Sequence, residues 1–235
     1  MIPISDSAVG RRRPPVVNLV LIALNILVFL YEISLGERAL DRFILTYGLI
    51  PAALTGSLSL GDLAPAPELT LITSMFVHGG WLHVGGNMLY LWVFGDNVED
   101  RFGHLAYLAF YFITGIAAAL AQVAVGPESP IPTVGASGAV AGVLGAYVLL
   151  HPGGRVTTLL TLGFFIRIVQ LPALLVIGFW GVLQFFSGVA SLAAASQQEG
   201  GVAYWAHIGG LVAGLVLGLV LRLILPEPRS RYRSF

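Results

Sequence analysis

The chain has few charged residues and lacks two residue types altogether. Of its 235 residues, 57% are hydrophobic and only 10% are charged, whereas soluble domains carry about 25% charged residues. Such a chain cannot cover a water-facing surface with polar side chains. It contains no cysteine, which excludes disulfides, catalysis by a thiol and thiolate metal sites. Lysine is also absent, and the twelve arginines balance twelve acidic residues, so nucleic acid is not an expected partner.

Six charge-free runs are long enough to cross a bilayer, which requires about 20 apolar residues. They cover residues 14–31, 69–95, 102–127, 129–154, 168–198 and 200–221. Two other segments are expected at the membrane interface: 43–61, because glycine and proline interrupt it, and 156–166, because it is too short to cross. The sequence therefore predicts an all-α membrane protein with six transmembrane helices and an interfacial first outer loop.

The distribution of arginine predicts the orientation, because cytoplasmic loops retain basic residues. If both termini lie inside, ten arginines lie on the inner side and only Arg38 and Arg42 lie outside. We therefore expect a short basic cytoplasmic N-terminus over residues 1–13, a six-helix domain over 14–225, and a short basic cytoplasmic tail over 226–235.

Four polar residues stand out within the predicted helices, where such residues are costly and indicate function. They are His83 and Asn87 in the second helix, Ser137 in the fourth and His207 in the sixth. In the predicted topology these three helices start on the outer side, and the four residues lie in their first turns. His83 and Asn87 are four residues apart and share one helix face. The topology therefore allows all four side chains to meet near the outer face.

Together these side chains have the functional groups that an acyl-transfer reaction needs. A serine hydroxyl becomes a good nucleophile when a neighbouring imidazole accepts its proton, and Ser137 and His207 fit these two roles. His83 and Asn87 can donate hydrogen bonds to the oxyanion that forms. The acidic residues fall in loops or at helix ends, so the sequence predicts a Ser–His dyad without a carboxylate. This chemistry needs no cofactor, and the sequence contains no plausible metal cluster.

Glycines predict where the fourth and sixth helices touch. Gly138 and Gly142, and likewise Gly210, Gly214 and Gly218, recur every four residues, which leaves a smooth strip for close helix approach.

Simpler roles exist for each polar residue taken alone: a lone serine usually packs or bonds to its own helix, and a lone histidine more often belongs to a proton path. The combination at one depth favours catalysis. For His78 we expect a structural hydrogen bond.

Three segments in order, HGGWLHVGGN at 78–87, GASG at 135–138 and AHIGG at 206–210, resemble the rhomboid family of intramembrane serine proteases. The resemblance implies that Ser137 is the nucleophile and His207 its base. It implies that His83, Asn87 and the Ser137 backbone N–H line the oxyanion hole. It also implies a six-helix core, a water-filled cavity open to the outer side, and lateral access for the substrate between helices two and five.

One departure concerns the outer loop, since many members of the family carry a Trp-Arg pair where this chain has Leu69 and Thr70. The resemblance implies an endopeptidase that cleaves single-pass or other transmembrane proteins near the outer face, in the lipid bilayer of a bacterial inner membrane. Two alternatives stay open. A catalytically silent relative would bind or escort transmembrane segments, and a solute or proton channel would use the same polar cluster as a path.

Overall fold

The computed structural model describes residues 1–7, 13–63, 66–162, 165–193 and 202–225. The predicted tail over 226–235 lies outside the described residues. Helices dominate. They are α1 (Val16–Ser34), α2 (Glu37–Tyr47), α3 (Pro51–Leu54), α4 (Thr70–Thr73), α5 (Trp81–Tyr90), α6 (Asp96–Phe102), α7 (His104–Val125), α8 (Ser137–Leu150), α9 (Ala173–Ala193) and α10 (Tyr204–Ile224).

Four of these helices, α1, α7, α9 and α10, are long and apolar enough to cross a membrane. The apolar α8 has only 14 residues, and α5 and α6 join through a π-helical turn into one helix over residues 81–102. The chain is therefore a membrane-spanning helical bundle. The count of six crossings and the inside position of both termini stay predictions.

The second predicted helix starts later than the hydrophobic run. The prediction began it at residue 69, but α5 starts at Trp81 and Thr70–Thr73 forms the separate helix α4. Helix α5 cannot extend further back because Gly80 has a φ of +148°, a conformation outside the helical region that glycine tolerates. Hydropathy alone does not reveal this break, since the segment before Gly80 is as apolar as the helix after it.

A buried polar cluster fixes the π-helical turn Leu91–Gly95 against α1 and α7. Asn18 of α1 donates from Nδ2 to the carbonyl oxygen of Leu91 at 2.9 Å, and its Oδ1 accepts the hydroxyl of Tyr107 at 2.8 Å. A Cβ added to Gly95 would lie 2.7 Å from the Tyr107 hydroxyl oxygen and would collide with the Asn18 side chain. The close contact therefore requires glycine at this position.

The predicted contact between α8 and α10 is present, and it is a contact between backbones. A Cβ added to Gly210 or Gly214 would strike the carbonyl oxygen of Gly138 or Gly142, respectively. The two α8 glycines, however, face α7, where their added Cβ atoms would lie 2.5 Å from the Cβ atoms of Ala118 and Thr114. The predicted contact of the two helices at these glycines is therefore confirmed, and the α8 glycines have the additional role of letting α7 approach. Gly210 and Gly214 of α10 pack against the backbone of α8. Gly138 and Gly142 of α8 allow α7 to pack closely on the side of their missing side chains.

A three-stranded antiparallel sheet lies at the end of the bundle where α8 ends and α9 begins. Its strands are β1 (Ile2–Asp6), β2 (Arg155–Leu162) and β3 (Phe165–Pro172), in the order β1-β2-β3. The all-α prediction is wrong for this part of the chain, and the fifth helix begins at Ala173 rather than at residue 168. The valine, isoleucine and threonine side chains of β2 and β3 suit strands. The prediction placed 156–166 at the interface without assigning strands, and it merged residues 168–172 of β3 with the fifth helix because they continue its charge-free run. Residues 194–198 of the predicted helix lie outside the described residues.

Asp6 connects this sheet to the bundle. Its Oδ2 accepts the hydroxyl of Tyr147 at 2.6 Å and the Asn97 Nδ2 at 2.9 Å. Tyr147 is fully buried near the end of α8. At 1.5 Å per residue, the 14 residues of α8 place the sheet about 20 Å from Ser137.

Candidate active site

Ser137 and His207 form a hydrogen-bonded pair between α8 and α10. Ser137 is the first residue of α8 and His207 the fourth of α10. The Ser137 Oγ and the His207 Nε2 are 2.8 Å apart. The backbone contact at Gly210 brings the two helices close enough for this pair, and the imidazole is 9% exposed.

The turn that leads into α8 is fixed on both sides. Gly135 has a φ of +118°, and its N–H donates to the carbonyl oxygen of Ser74 at 2.8 Å. A Cβ added to Gly135 would lie 2.5 Å from the His83 Nε2 and 3.6 Å from the Asn87 Nδ2. The structure therefore packs both α5 side chains against the backbone that leads into Ser137.

Each of these side chains presents a hydrogen-bond donor. The His83 Nδ1 accepts the N–H of Gly79 at 3.4 Å, so the neutral ring carries its proton on Nε2, the atom nearest Gly135. The amide nitrogen of Asn87 has two hydrogens and uses one on the His78 Nε2 at 3.1 Å. As the first residue of a helix, Ser137 has a backbone N–H without an intrahelical acceptor. His83 and Asn87 thus each have an N–H donor beside the turn that leads into Ser137.

His78 has the structural role that the sequence predicted. Its side chain is 2% exposed, and its Nδ1–H donates to the carbonyl oxygen of Phe76 at 3.2 Å while its Nε2 accepts from Asn87. Its backbone N–H donates to both carboxylate oxygens of Glu32, each at 3.2 Å. Glu32, at the end of α1, thereby holds the segment that orients Asn87. The sequence analysis did not identify this carboxylate.

A cavity of about 920 Å³ opens beside the pair, and Ser137, His207, His83 and Asn87 all line it. Apolar and aromatic side chains form much of the remaining wall, including Leu82, Tyr90, Val140, Leu144 and Trp180. The structure thus brings all four predicted site residues around one space. Within the described part of the chain, no group of three acidic or imidazole side chains is placed to hold a metal ion.

Helix α9 supplies two neighbours of His207 that the sequence analysis missed. The Gln184 Oε1 lies 2.8 Å from the His207 Nδ1, and the Trp180 ring lies over the imidazole, with centroids 5.7 Å apart and planes inclined by 37°. A signal existed in the sequence, because Gln184 is the only amide side chain in the apolar sequence of α9. An amide in a membrane helix more commonly joins two helices, so its sequence position alone does not indicate catalysis.

Comparison with known proteins places these motifs in a family. The family model described as the Rhomboid domain matches residues 67–224. The rhomboid protease GluP of Bacillus subtilis (strain 168) is 31% identical over 160 residues, which cover 68% of this chain and 29% of that protein.

Two eukaryotic relatives are similar to this chain over shorter lengths. Rhomboid-like protein 11, chloroplastic, of Arabidopsis thaliana is 32% identical over 126 residues, 54% of this chain and 42% of that protein. Rhomboid protein 1, mitochondrial, of Saccharomyces cerevisiae (strain ATCC 204508 / S288c) is 29% identical over 148 residues, 61% of this chain and 39% of that protein. The chain thus spans less than half the length of these relatives. Since the family model matches more than half of the chain, and since this chain has membrane-spanning helices, it belongs to the rhomboid family of membrane proteins.

Proposed function

We propose that the protein is an intramembrane serine endopeptidase with Ser137 as nucleophile and His207 as general base. The distance of 2.8 Å between the Ser137 Oγ and the His207 Nε2 carries this proposal. The Ser137 hydroxyl donates its proton to the imidazole as the oxygen attacks the peptide carbonyl. The same imidazole then protonates the leaving amine, and water hydrolyses the acyl-enzyme in a second step.

His83, Asn87 and the backbone N–H of Ser137 form the oxyanion hole in this proposal. The His83 Nε2–H, the second Asn87 amide hydrogen and the Ser137 N–H stabilise the negative charge of the tetrahedral intermediate. Such donors are effective because they are oriented before the reaction, so the site need not reorganise as the charge develops. The bond from Asn87 to His78 supports this role, since it holds the amide in place.

The substrate is the transmembrane helix of another membrane protein, cut near the outer face of the bilayer. His207 is the fourth residue of α10, so the pair lies about 5 Å below the start of that helix. A substrate helix must unwind locally there, because its peptide carbonyls are otherwise held in internal hydrogen bonds. Glycine or proline near the outer end of the substrate helix therefore favours cleavage. We assign the protein to a bacterial inner membrane, although its relatives also include chloroplastic and mitochondrial proteins.

A catalytically silent relative that binds or escorts transmembrane segments is the alternative. The names of the relatives include both a rhomboid protease and rhomboid-like proteins. The alternative has no need of a serine paired to an imidazole, and the intact pair supports the protease.

The test is a cleavage assay in proteoliposomes. They contain the full chain and a transmembrane substrate that has glycine near its outer end. We expect cleavage and covalent labelling of Ser137 by a fluorescent phosphonate. Ser137→Ala and His207→Ala each abolish cleavage, since both groups act in one unit. Ser129→Ala is the matched control, because this serine lines the same cavity but accepts the N–H of Ile131 instead of bonding to an imidazole.

Two results would contradict the proposal. Cleavage by Ser137→Ala at the wild-type rate would exclude the nucleophile. Solute or proton flux through the liposomes, with no cleavage and no phosphonate labelling, would favour a channel instead.

A further inference from the structure

Besides Ser137, His207 contacts a polar side chain that the dyad mechanism does not use. Its Nδ1 lies 2.8 Å from the Gln184 Oε1, on the side of the ring opposite Ser137. The hydroxyl, the imidazole and the amide thus form one chain of hydrogen bonds across α8, α10 and α9. We propose that Gln184 is a positioning residue that fixes the tautomer and the orientation of His207. This inference rests on the proposed protease function.

The direction of the two hydrogen bonds follows from the chemistry of the amide. A carbonyl oxygen has no proton to give, so the Gln184 Oε1 accepts and the His207 Nδ1–H donates. The neutral ring then has its lone pair on Nε2, facing the Ser137 hydroxyl. That is the tautomer a general base requires. Without an acceptor at Nδ1, the ring is also free to carry its proton on Nε2, and in that form it cannot accept the serine proton.

The same helix restrains the ring in a second way. Trp180 is four residues before Gln184, so both side chains lie on one face of α9. The indole lies over the imidazole with ring centroids 5.7 Å apart, which limits tilting of the ring, while the amide limits its rotation. Helix α9 therefore sets both the plane and the rotation of the base.

An amide differs from a carboxylate at this position because it carries no charge. It orients the imidazole, but it stabilises the imidazolium of the transition state less than an aspartate or glutamate would. In a site where the imidazole is 9% exposed, an unpaired carboxylate would carry a large desolvation cost. His83 lines the same cavity as His207, and a positive charge on either imidazole would repel a positive charge on the other. Both imidazoles must stay neutral for the donors and the base to work.

Two substitutions of Gln184 test this role in proteoliposomes. Gln184→Met keeps the length of the side chain but removes the acceptor, and we expect kcat to fall about 10-fold with little change in KM, as for the loss of one oriented hydrogen bond. Gln184→Glu keeps an acceptor and adds charge, so it retains activity. The acid limb of its pH–rate profile moves to higher pH, because a carboxylate stabilises the protonated imidazole. Leu183→Met is the matched control, since its side chain lies on the exposed side of the same turn.

The outcomes separate this inference from the proposed function. If the wild-type protein cleaves substrate while Gln184→Met keeps the wild-type kcat and pH profile, the inference alone is wrong. Equal losses in Gln184→Met and Gln184→Glu, with the wild-type pH profile in both, would show a merely structural role. If Gln184→Met fails to fold, the profile of Gln184→Glu decides. Absence of cleavage and of phosphonate labelling in the wild-type protein would overturn the proposed function, and this inference with it.

Discussion

A single glycine, Gly135, separates the backbone that leads into Ser137 from the side chains of His83 and Asn87. Gly135 combines a φ of +118° with close contact to His83. Any side chain here would have to adopt a backbone conformation that costs about 1–3 kcal/mol. It would also push His83 away from the turn that begins α8.

Gly135→Ala is therefore expected to impair catalysis without touching a reacting group. Because the added methyl would lie 2.5 Å from the His83 Nε2, the imidazole must shift. A displacement of about 1 Å can lower the rate roughly 100-fold. Cleavage kinetics of purified protein in proteoliposomes measure this loss. Gly85→Ala serves as the control, since an added Cβ there has open space, and equal activity of both variants would contradict the assignment of His83.

Individual polar residues were predictable from the sequence to different degrees. His83, Asn87, Ser137 and His207 were identifiable because a polar group in an apolar run is costly and needs a reason. The same signal in Gln184 was ambiguous, because many intramembrane amides only join helices. Glu32 looked like a helix-end residue, and its two hydrogen bonds to the His78 N–H depend on a loop conformation that no local pattern encodes.

At the scale of the helices, the separation of α8 and α10 determines whether the dyad exists. Gly210 and Gly214 allow the backbone of α10 to touch the carbonyl groups of α8. The serine and imidazole are carried by these two helices, so a change in their spacing changes the distance between the reacting atoms.

Gly210→Leu or Gly214→Leu should inactivate the protein through packing. Either side chain would force α10 away from α8, and we expect a loss of activity of roughly 100-fold or more. Even Gly210→Ala should reduce activity, because its Cβ would meet the carbonyl oxygen of Gly138. Cleavage assays and phosphonate labelling measure the effect, with Gly178→Ala on α9 as the control, since it has open space. Full activity in both leucine variants would contradict the observed helix contact.

Helices and strands differ in how well the sequence predicts them. Long apolar runs identified the membrane-spanning helices, because burial in lipid requires a minimum length. The start of α5 depends on the conformation of Gly80 rather than on hydropathy. Residues 168–172 of β3 belong to the same charge-free run as α9, so charge alone does not separate strand from helix. The partner of β2, strand β1, lies about 150 residues away in the chain. Such long-range pairing has no local signature.

At the scale of the whole molecule, the candidate active site and the β-sheet lie at opposite ends of α8. The candidate active site lies at the start of α8, and the β1-β2-β3 sheet follows its other end. Asp6 joins the sheet to Tyr147, which is fully buried. Stability and catalysis should therefore be separable by mutation.

Asp6→Ala should lower stability more than catalysis. It leaves the buried Tyr147 hydroxyl without its acceptor, which costs about 1–3 kcal/mol of unfolding free energy. Thermal unfolding in detergent should show a lower midpoint, while the cleavage rate at low temperature changes little, because the sheet lies about 20 Å from Ser137. Ser5→Ala on the exposed part of β1 is the control. An unchanged unfolding midpoint would show that Asp6 does not anchor the sheet.

The position of β1 also has a consequence for the order of assembly. Ribosomes make proteins from the amino terminus, so Ile2–Asp6 is synthesised long before its partner strand Arg155–Leu162. Strand β1 therefore stays unpaired while the helices up to α8 are made and inserted. Pairing over such a separation is intrinsically slow. Closure of the sheet is consequently a late event in biogenesis, and a newly made chain exposes an unpaired strand until α8 and the hairpin after it have left the ribosome.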